Sequence, residues 1–309
     1  MTVQTPAADA AETRTGFICA LTAYGMWGVL PAFFKLMETV RPDFVVSHRI
    51  VWSVIFVSLF LLAVGRFSEV MEIVRQPKLV RNLCISTLLI VGNWLVFVWA
   101  VSNHQVLEVS LGYFINPLVS VVLALVVLRE KISRFQGLAI GLAAVGVVLQ
   151  AIIAGGLPWV SLFLAASFAG YGYMRKITPV RATPGLLIET VLLLPFVLGY
   201  LAINWVNGVE VFPTDEPVVM AALIASGALT AVPLVLFSAG ARRLPLVMIG
   251  ILQYIAPSMH FLQAVFIWGE PLHMGTLTTF LIIWAALAIF SYDSLKRWRR
   301  QRLGPVPTV

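Results

Sequence analysis

The sequence predicts an all-α integral membrane protein whose ten transmembrane helices form two inverted five-helix repeats. Three observations carry that prediction. Hydrophobic residues make up 60% of the 309 and charged residues 11%, with a mean hydropathy of +0.94. That is more apolar surface than a soluble fold of this length encloses. Apolar segments of about 20 residues, the length that crosses roughly 30 Å of hydrocarbon, recur along the whole chain. A proline and a glutamate also return as a pair, Pro117 with Glu130 and then Pro257 with Glu270, and the two offsets are equal (257 − 117 and 270 − 130).

Taken in order, the spans fall near residues 16–35, 43–63, 82–101, 106–128, 135–152, 157–174, 185–203, 219–239, 246–268 and 274–293. Runs this long and uniform do not suit the tilted strands of a membrane barrel, which leaves helices as the spanning solution. Residues 1–15 are small and polar and lack the basic start and cleavage site of a secretory signal. The first span is therefore expected to be retained behind a short cytoplasmic tail. Spans one to five make the first repeat, 16–152, spans six to ten the second, 157–293, and a basic tail covers 294–309. Between spans two and three, Phe67, Val70, Met71 and Val74 fall at helical spacing among charged neighbours and predict a short helix on the inner surface. The cluster from Lys296 to Arg302 reads as positive-inside anchoring, and Gly304, Pro305 and Pro307 predict a disordered end.

Charge gives the orientation. With the N-terminus inside, 18 of the 21 Lys and Arg residues fall on cytoplasmic segments, and Lys35, Arg41 and Arg49 cluster about the first outer loop. Both termini should face the cytoplasm. This sorting accounts for the net charge of +7, so no nucleic-acid partner is expected. Five helices per repeat turn the second copy upside down, and the loops show it. Arg129, Lys131 and Arg134 on an inner loop become Gly269, Pro271 and Met274 on an outer one, while Ser102 and Asn103 become Arg242 and Arg243. At the same offset Leu89, Phe97, Ile115 and Ala124 meet Leu229, Phe237, Ile255 and Ala264. A pseudo-twofold axis in the membrane plane is the expected relation.

Polar residues within the spans are the candidate functional groups. Proline removes the helix bond to the carbonyl four residues earlier, so Pro117 and Pro257 free the carbonyls of Tyr113 and Gln253 near mid-membrane and are read as helix hinges lining a central site. Glu108 and Arg49 lie just inside the outer boundary, where a charge is costly unless paired, and are expected to pair with His48 beside them. Glu189, near the inner side, lacks an obvious partner, with Lys176 and Arg181 within snorkelling reach. Asn93, Trp94, Tyr113, Asn116, Gln253 and Tyr254 are the expected substrate-binding set, a mixture of flat faces and directional groups suited to amphipathic ligands. Trp99 and Trp268 read as interfacial belt residues, His260 as a packing hydrogen bonder, and the small residues Gly137, Gly141 and Gly146 as a close-packing face. Cys19 and Cys84 both fall in apolar segments and offer neither a disulfide framework nor metal-ligand spacing, so no cofactor or metal is expected.

Several of these stretches carry a resemblance. His48-Arg49-Ile50-Val51-Trp52-Ser53, Gly92-Asn93-Trp94, Trp99-Ala100-Val101, Asn103-His104, Glu108 through Pro117, and Gln253-Tyr254-Ile255-Ala256-Pro257 together resemble RarD-type proteins of the EamA family, within the drug/metabolite transporter superfamily. The resemblance implies a bacterial inner-membrane permease of two five-helix EamA repeats with both termini cytoplasmic. It also implies small-molecule efflux, since RarD-type members are labelled chloramphenicol-sensitive proteins and others in the superfamily export amino acids and metabolites. Gln253 where Tyr113 stands and Ala256 where Asn116 stands depart from equal contributions by the two halves.

The expected function is a secondary transporter, exporting small metabolites or amphipathic drugs by rocking of the two repeats about a shared site. No glycine-rich phosphate loop is present, so a gradient is the expected drive. If protons supply it, Glu108 and Glu189 are the acids, with His48 third. An intramembrane enzyme is not expected, since no Ser-His or paired-carboxylate arrangement is evident. The alternative is a membrane-embedded sensor or scaffold that binds a small molecule without moving it. The expected partners are thus a small-molecule substrate and the lipid bilayer; the sequence does not set the oligomeric state.

Overall fold

A computed structural model describes residues 6–128, 133–153, 155–212, 215–241, 243–244, 248–249 and 252–302. The readings made for Arg129, Glu130, Lys131, Arg242 and the segment from Gly304 to Pro307 lie outside the described residues. Every regular element among the described residues is a helix: α1 (Pro6–Gly28), α2 (Leu30–Lys35), α3 (Pro42–Ala63), α4 (Ser68–Val74), α5 (Pro77–Ser102), α6 (Val106–Leu128), α7 (Arg134–Ile153), α8 (Trp159–Ile177), α9 (Ala182–Val206), α10 (Pro217–Ala241), α11 (Ile255–Phe266) and α12 (Met274–Arg302). Among the described residues, seven segments are long and apolar enough to cross a membrane: Glu12–Lys35, α3, α5, α7, α9, α10 and Met274–Asp293 of α12. Within α6 and α11 the apolar stretches Val106–Ser120 and Ile255–Phe266 are shorter. The chain is a multi-pass membrane protein, and the short helix expected between the second and third spans is α4.

Local chemistry explains where the helices start. Proline is the first residue of α3, α5 and α10. At that position its missing N–H is one that no helix carbonyl would accept from, and its φ suits the helix already. The starts of α3 and α9, of α5 and α10, and of α7 and α12 are separated by one and the same offset (182 − 42, 217 − 77, 274 − 134), which is also that of the two prolines.

Two expected spans are not continuous. The first is divided between Gly28, where α1 ends, and Leu30, where α2 begins, because Pro31 in the first turn of α2 has no N–H to carry the ladder across. The ninth starts afresh at Ile255 with Tyr254 as its N-cap. Pro257 therefore sits in the first turn of α11 rather than at its middle, and its missing N–H leaves the Gln253 carbonyl without that donor, while Gln253 N–H and Ser258 N–H still bond to the Ile249 and Tyr254 carbonyls. Pro117 does lie inside α6.

The helices pack in reciprocal pairs. α6 packs on α8 and α11 on α1; α5 packs on α8 and α10 on α1; α3 packs on α10 and α9 on α5. Three further pairs, α3 with α9, α6 with α11 and α7 with α12, each join a helix of residues 16–152 to one of residues 157–302. The largest apolar core runs through α2, α3, α5, α8, α9 and α10, and a second lies among α6, α7 and α12. Within α7, Gly146 packs closely on Ile283 of α12, whereas Gly141 faces open space.

Candidate functional site

Arg49 is the unusual residue of the interior. It lies seven residues beyond Pro42 (49 − 42), about 10 Å along α3 at 1.5 Å per residue, and is only 6% exposed. Its Nε donates to Thr230 Oγ1 on α10 at 2.7 Å. The guanidinium lies over the Trp94 ring of α5, 4.3 Å from the centroid, and 5.6 Å from that of Phe34 on α2. Gly227, one turn before Thr230, lets α10 come this close. A Cβ there would run into the Trp52 carbonyl carbon and stand 2.6 Å from the Ser53 nitrogen, so any larger residue drives the two backbones apart. No carboxylate among the described residues pairs with Arg49.

The expected pair of Arg49 with Glu108 is therefore not formed. Glu108 binds Ser161 of α8 instead, accepting from its hydroxyl at short distance and from its N–H at 3.4 Å. His48 points away from both, its Nε2 2.7 Å from the Val211 carbonyl. Adjacent positions on a helix are turned about 100° apart, so His48 and Arg49 were bound to face different neighbours.

Beside Arg49 the structure brings together three of the expected binding residues. Tyr113 Oη donates to Asn93 Oδ1 at 3.1 Å, while Asn93 Nδ2 donates to Ser167 Oγ at 2.9 Å and to the Leu164 carbonyl at 3.1 Å. The Tyr113 ring touches Phe97, Phe168 and His260 at centroid distances of 5.8–6.1 Å, and Phe97 in turn meets Phe34. Trp94 completes the wall under Arg49. Of the remaining three, Tyr254 stacks on Phe114 in a separate aromatic cluster with Phe261, Phe280 and Trp284. Asn116 is buried on α6 with its Oδ1 unpaired, and Gln253 precedes the α11 cap. Phe34, Phe97, Phe168 and Thr230 were not singled out in the sequence as site residues, because single apolar or hydroxyl residues on a membrane helix carry no mark.

The break between α1 and α2 is filled from α11. Pro31 leaves the Trp27 carbonyl without its usual donor, and His260 Nε2 stands 3.1 Å from it. The Gln263 amide replaces the next rung. Its Oε1 accepts from the Ala32 N–H at 3.0 Å and its Nε2 donates to the Gly28 carbonyl at 2.5 Å, the two groups that an unbroken helix would join directly.

Glu189 on α9 is 1% exposed and has a partner different from those expected. Arg175 of α8, not Lys176 or Arg181, places Nη1 3.6 Å from Glu189 Oε1. Ser86 Oγ donates to the same oxygen at 2.5 Å, and Tyr171 Oη to Oε2 at 3.2 Å. Gly185 leaves room for this guanidinium, since a Cβ there would overlap Nη1.

Glu270 caps a helix of the other half. Its oxygens accept from the N–H groups of Val106 at 2.5 Å and Leu107 at 2.8 Å, at the start of α6. Its carboxyl is pushed up to about 7, first by burial, with Glu108 nearby adding to the rise and the two backbone donors opposing it. Ser110 Oγ of α6 donates to the Pro257 carbonyl at 2.8 Å, which ties the helices of Pro117 and Pro257 together.

Comparison with known proteins places the chain. Residues 14–152 match the family described as the EamA-like transporter family. An uncharacterized transporter of Pseudomonas aeruginosa is 43% identical over 302 residues, covering 96% of this chain and 99% of its own. Protein RarD of Escherichia coli is 43% identical over 292 residues, covering 94% and 99%. The chain is a RarD-type member of the EamA family. A protein of known crystal structure, 18% identical, shares the fold with a TM-score of 0.58 over 92% of this chain and 98% of that one. For an EamA protein, the cluster of Arg49, Trp94, Asn93 and Tyr113 at the junction of α3, α5, α6 and α10 is the natural candidate site. Buried charge within a membrane fold is expensive and is kept where it meets a ligand or a partner.

Proposed function

We propose that this chain is an inner-membrane secondary transporter of ten spans, both termini cytoplasmic, which exports small metabolites or amphipathic drugs by alternating access between inverted repeats at 16–152 and 157–293. The observation that carries the reading is that one polar and aromatic cluster is built from both halves. Arg49, Trp94, Asn93 and Tyr113 come from the first, and Thr230, Ser167 and His260 from the second.

The register of the two halves supports it. Helix starts recur at one offset, and the packing of α6 on α8, α5 on α8 and α3 on α10 is answered by α11 on α1, α10 on α1 and α9 on α5. A pseudo-twofold exchange of halves requires that correspondence. Side chains follow the same offset. Ser86 Oγ lies 3.0 Å from the Leu83 carbonyl oxygen, and its counterpart Ser226 Oγ lies 2.6 Å from that of Leu223 (226 − 86, 223 − 83). The break filled by Gln263 and His260 allows the two segments of the first span to change angle without stranding backbone groups. Among the span-borne acids, Glu108 and Glu189 are the ones to test for proton coupling.

The test is uptake by proteoliposomes of the purified protein, using labelled amino acids and chloramphenicol, with and without an imposed pH gradient. Flux is expected for at least one compound. Folded protein that passes none of them, yet binds one, would favour a sensor.

A further inference from the structure

We propose that the Arg49 guanidinium is the docking point for the carboxylate of a small aromatic or amphipathic organic anion. This rests on the transporter reading and names the substrate class of the same site.

Guanidinium carries five N–H donors in one plane, and the only hydrogen bond that Arg49 makes among the described residues uses Nε, toward Thr230. Two rings lie against it, Trp94 at 4.3 Å and Phe34 at 5.6 Å. Cation–π contact offsets part of the cost of burial and helps to hold the group in place. It supplies no counter-charge. The carboxylates that lie nearest in the sequence pattern are engaged elsewhere, Glu108 with Ser161 and Asp43 with Arg41 and Tyr200. A buried cation without an anion is costly, and the partner that best removes that cost is a carboxylate meeting the fork with two parallel bonds.

The surroundings say what the rest of the molecule resembles. Phe34, Phe97, Tyr113 and Phe168 form a continuous run of rings leading away from Arg49, with the Asn93–Tyr113 hydrogen bond as the directional neutral group. A flat apolar body bearing a single negative charge fits that environment. A cation would meet an unscreened positive charge in low dielectric.

The matching position in the second half supports this by contrast. Glu189, at the helix-start offset from Arg49 (189 − 49, 182 − 42), is a buried charge that the protein itself neutralises with Arg175. Arg49 has no such partner among the described residues.

The experiment compares benzoate with its uncharged isostere benzamide on the purified full chain in detergent, by calorimetric titration and by the shift in melting temperature. Benzoate is expected to bind at least about tenfold more tightly and to raise the melting temperature of the unmodified protein, with benzamide doing neither. Arg49→Gln should abolish the preference, and Arg49→Lys, which keeps the charge and loses the fork, should retain part of it. Equal binding of the two probes, a preference that survives Arg49→Gln, or no binding of benzoate at millimolar concentration overturns the proposal. The melting shift needs no variant, so misfolding of Arg49→Gln leaves the test intact. Anion-selective binding by a protein that passes no compound through proteoliposomes would sink the transport reading and leave the anion site standing. Flux indifferent to probe charge would do the reverse.

Discussion

Arg49 and Glu189 occupy the same place in two corresponding helices, each seven residues beyond its helix start (49 − 42, 189 − 182), yet only Glu189 has an ionic partner among the described residues. One half carries its buried charge as a closed pair with Arg175. The other presents it to the aromatic cluster at the junction of the halves. The asymmetry sets a closed ionic clamp apart from a buried cation that has no carboxylate partner among the described residues.

The clamp makes a stability prediction. Arg175→Met leaves Glu189 buried beside Ser86 and Tyr171 without its cation, and loss of one partner of such a pair costs about 3–5 kcal/mol. Gly185→Ala should act in the same direction by pushing the guanidinium off Glu189. The double variant Arg175→Met with Glu189→Leu is expected to recover most of the loss. Thermal unfolding in detergent reads all three, and a double variant no better than Arg175→Met would show that the ion pair is not what stabilises this corner.

Gln263→Leu should uncouple α11 from the break between α1 and α2. The Gly28 carbonyl and Ala32 N–H lose their shared partner, at about 1–3 kcal/mol for each buried group left unmade. Hydrogen exchange at the Ala32 amide is expected to accelerate well beyond that of α3, and unchanged protection there would show that the amide bridge carries no weight.

Glu270 predicts a pH dependence. Its carboxyl sits at about 7 in the fold against an ordinary 4.5, so between those values the folded state holds a proton that the unfolded chain has released. Its contribution is fully present below about 4.5 and is lost as pH rises through 7, a fall of at most about 3 kcal/mol. Glu270→Gln should flatten the melting temperature over that window. A wild-type melting temperature that rises from pH 4.5 to 7, with the rise removed by Glu270→Gln, would contradict the burial of the group.

The membrane class was legible in the sequence because composition and span length are global properties that no single contact decides. The offset that separates Pro117 from Pro257 and Glu130 from Glu270 was legible too, and three pairs of helix starts are separated by the same number of residues. What sequence could not supply was rotation about the helix axes. Arg49 and Glu108 lie at similar expected depth, and depth alone suggested a pair, but they face different helices. Tyr254 and Tyr113 read alike as polar aromatics in matching segments, and only packing sorts Tyr113 beside Phe97 and His260 and Tyr254 against Phe114. The place of Pro257 was likewise hidden, since it stands in the first turn of α11 and not at mid-helix, and sequence does not say where the preceding turn ends.

Alternating access of one site stands or falls on counterflow. Proteoliposomes of the purified protein would be loaded with excess unlabelled compound from the amino-acid and chloramphenicol panel, and uptake of the labelled form followed from outside. Label is expected to accumulate transiently above its equilibrium level, driven by the unlabelled gradient, and this overshoot should be lost in Arg49→Gln if the compound is a carboxylate. Label that enters empty and loaded vesicles at the same rate, without overshoot, would rule out a site that opens to each side in turn.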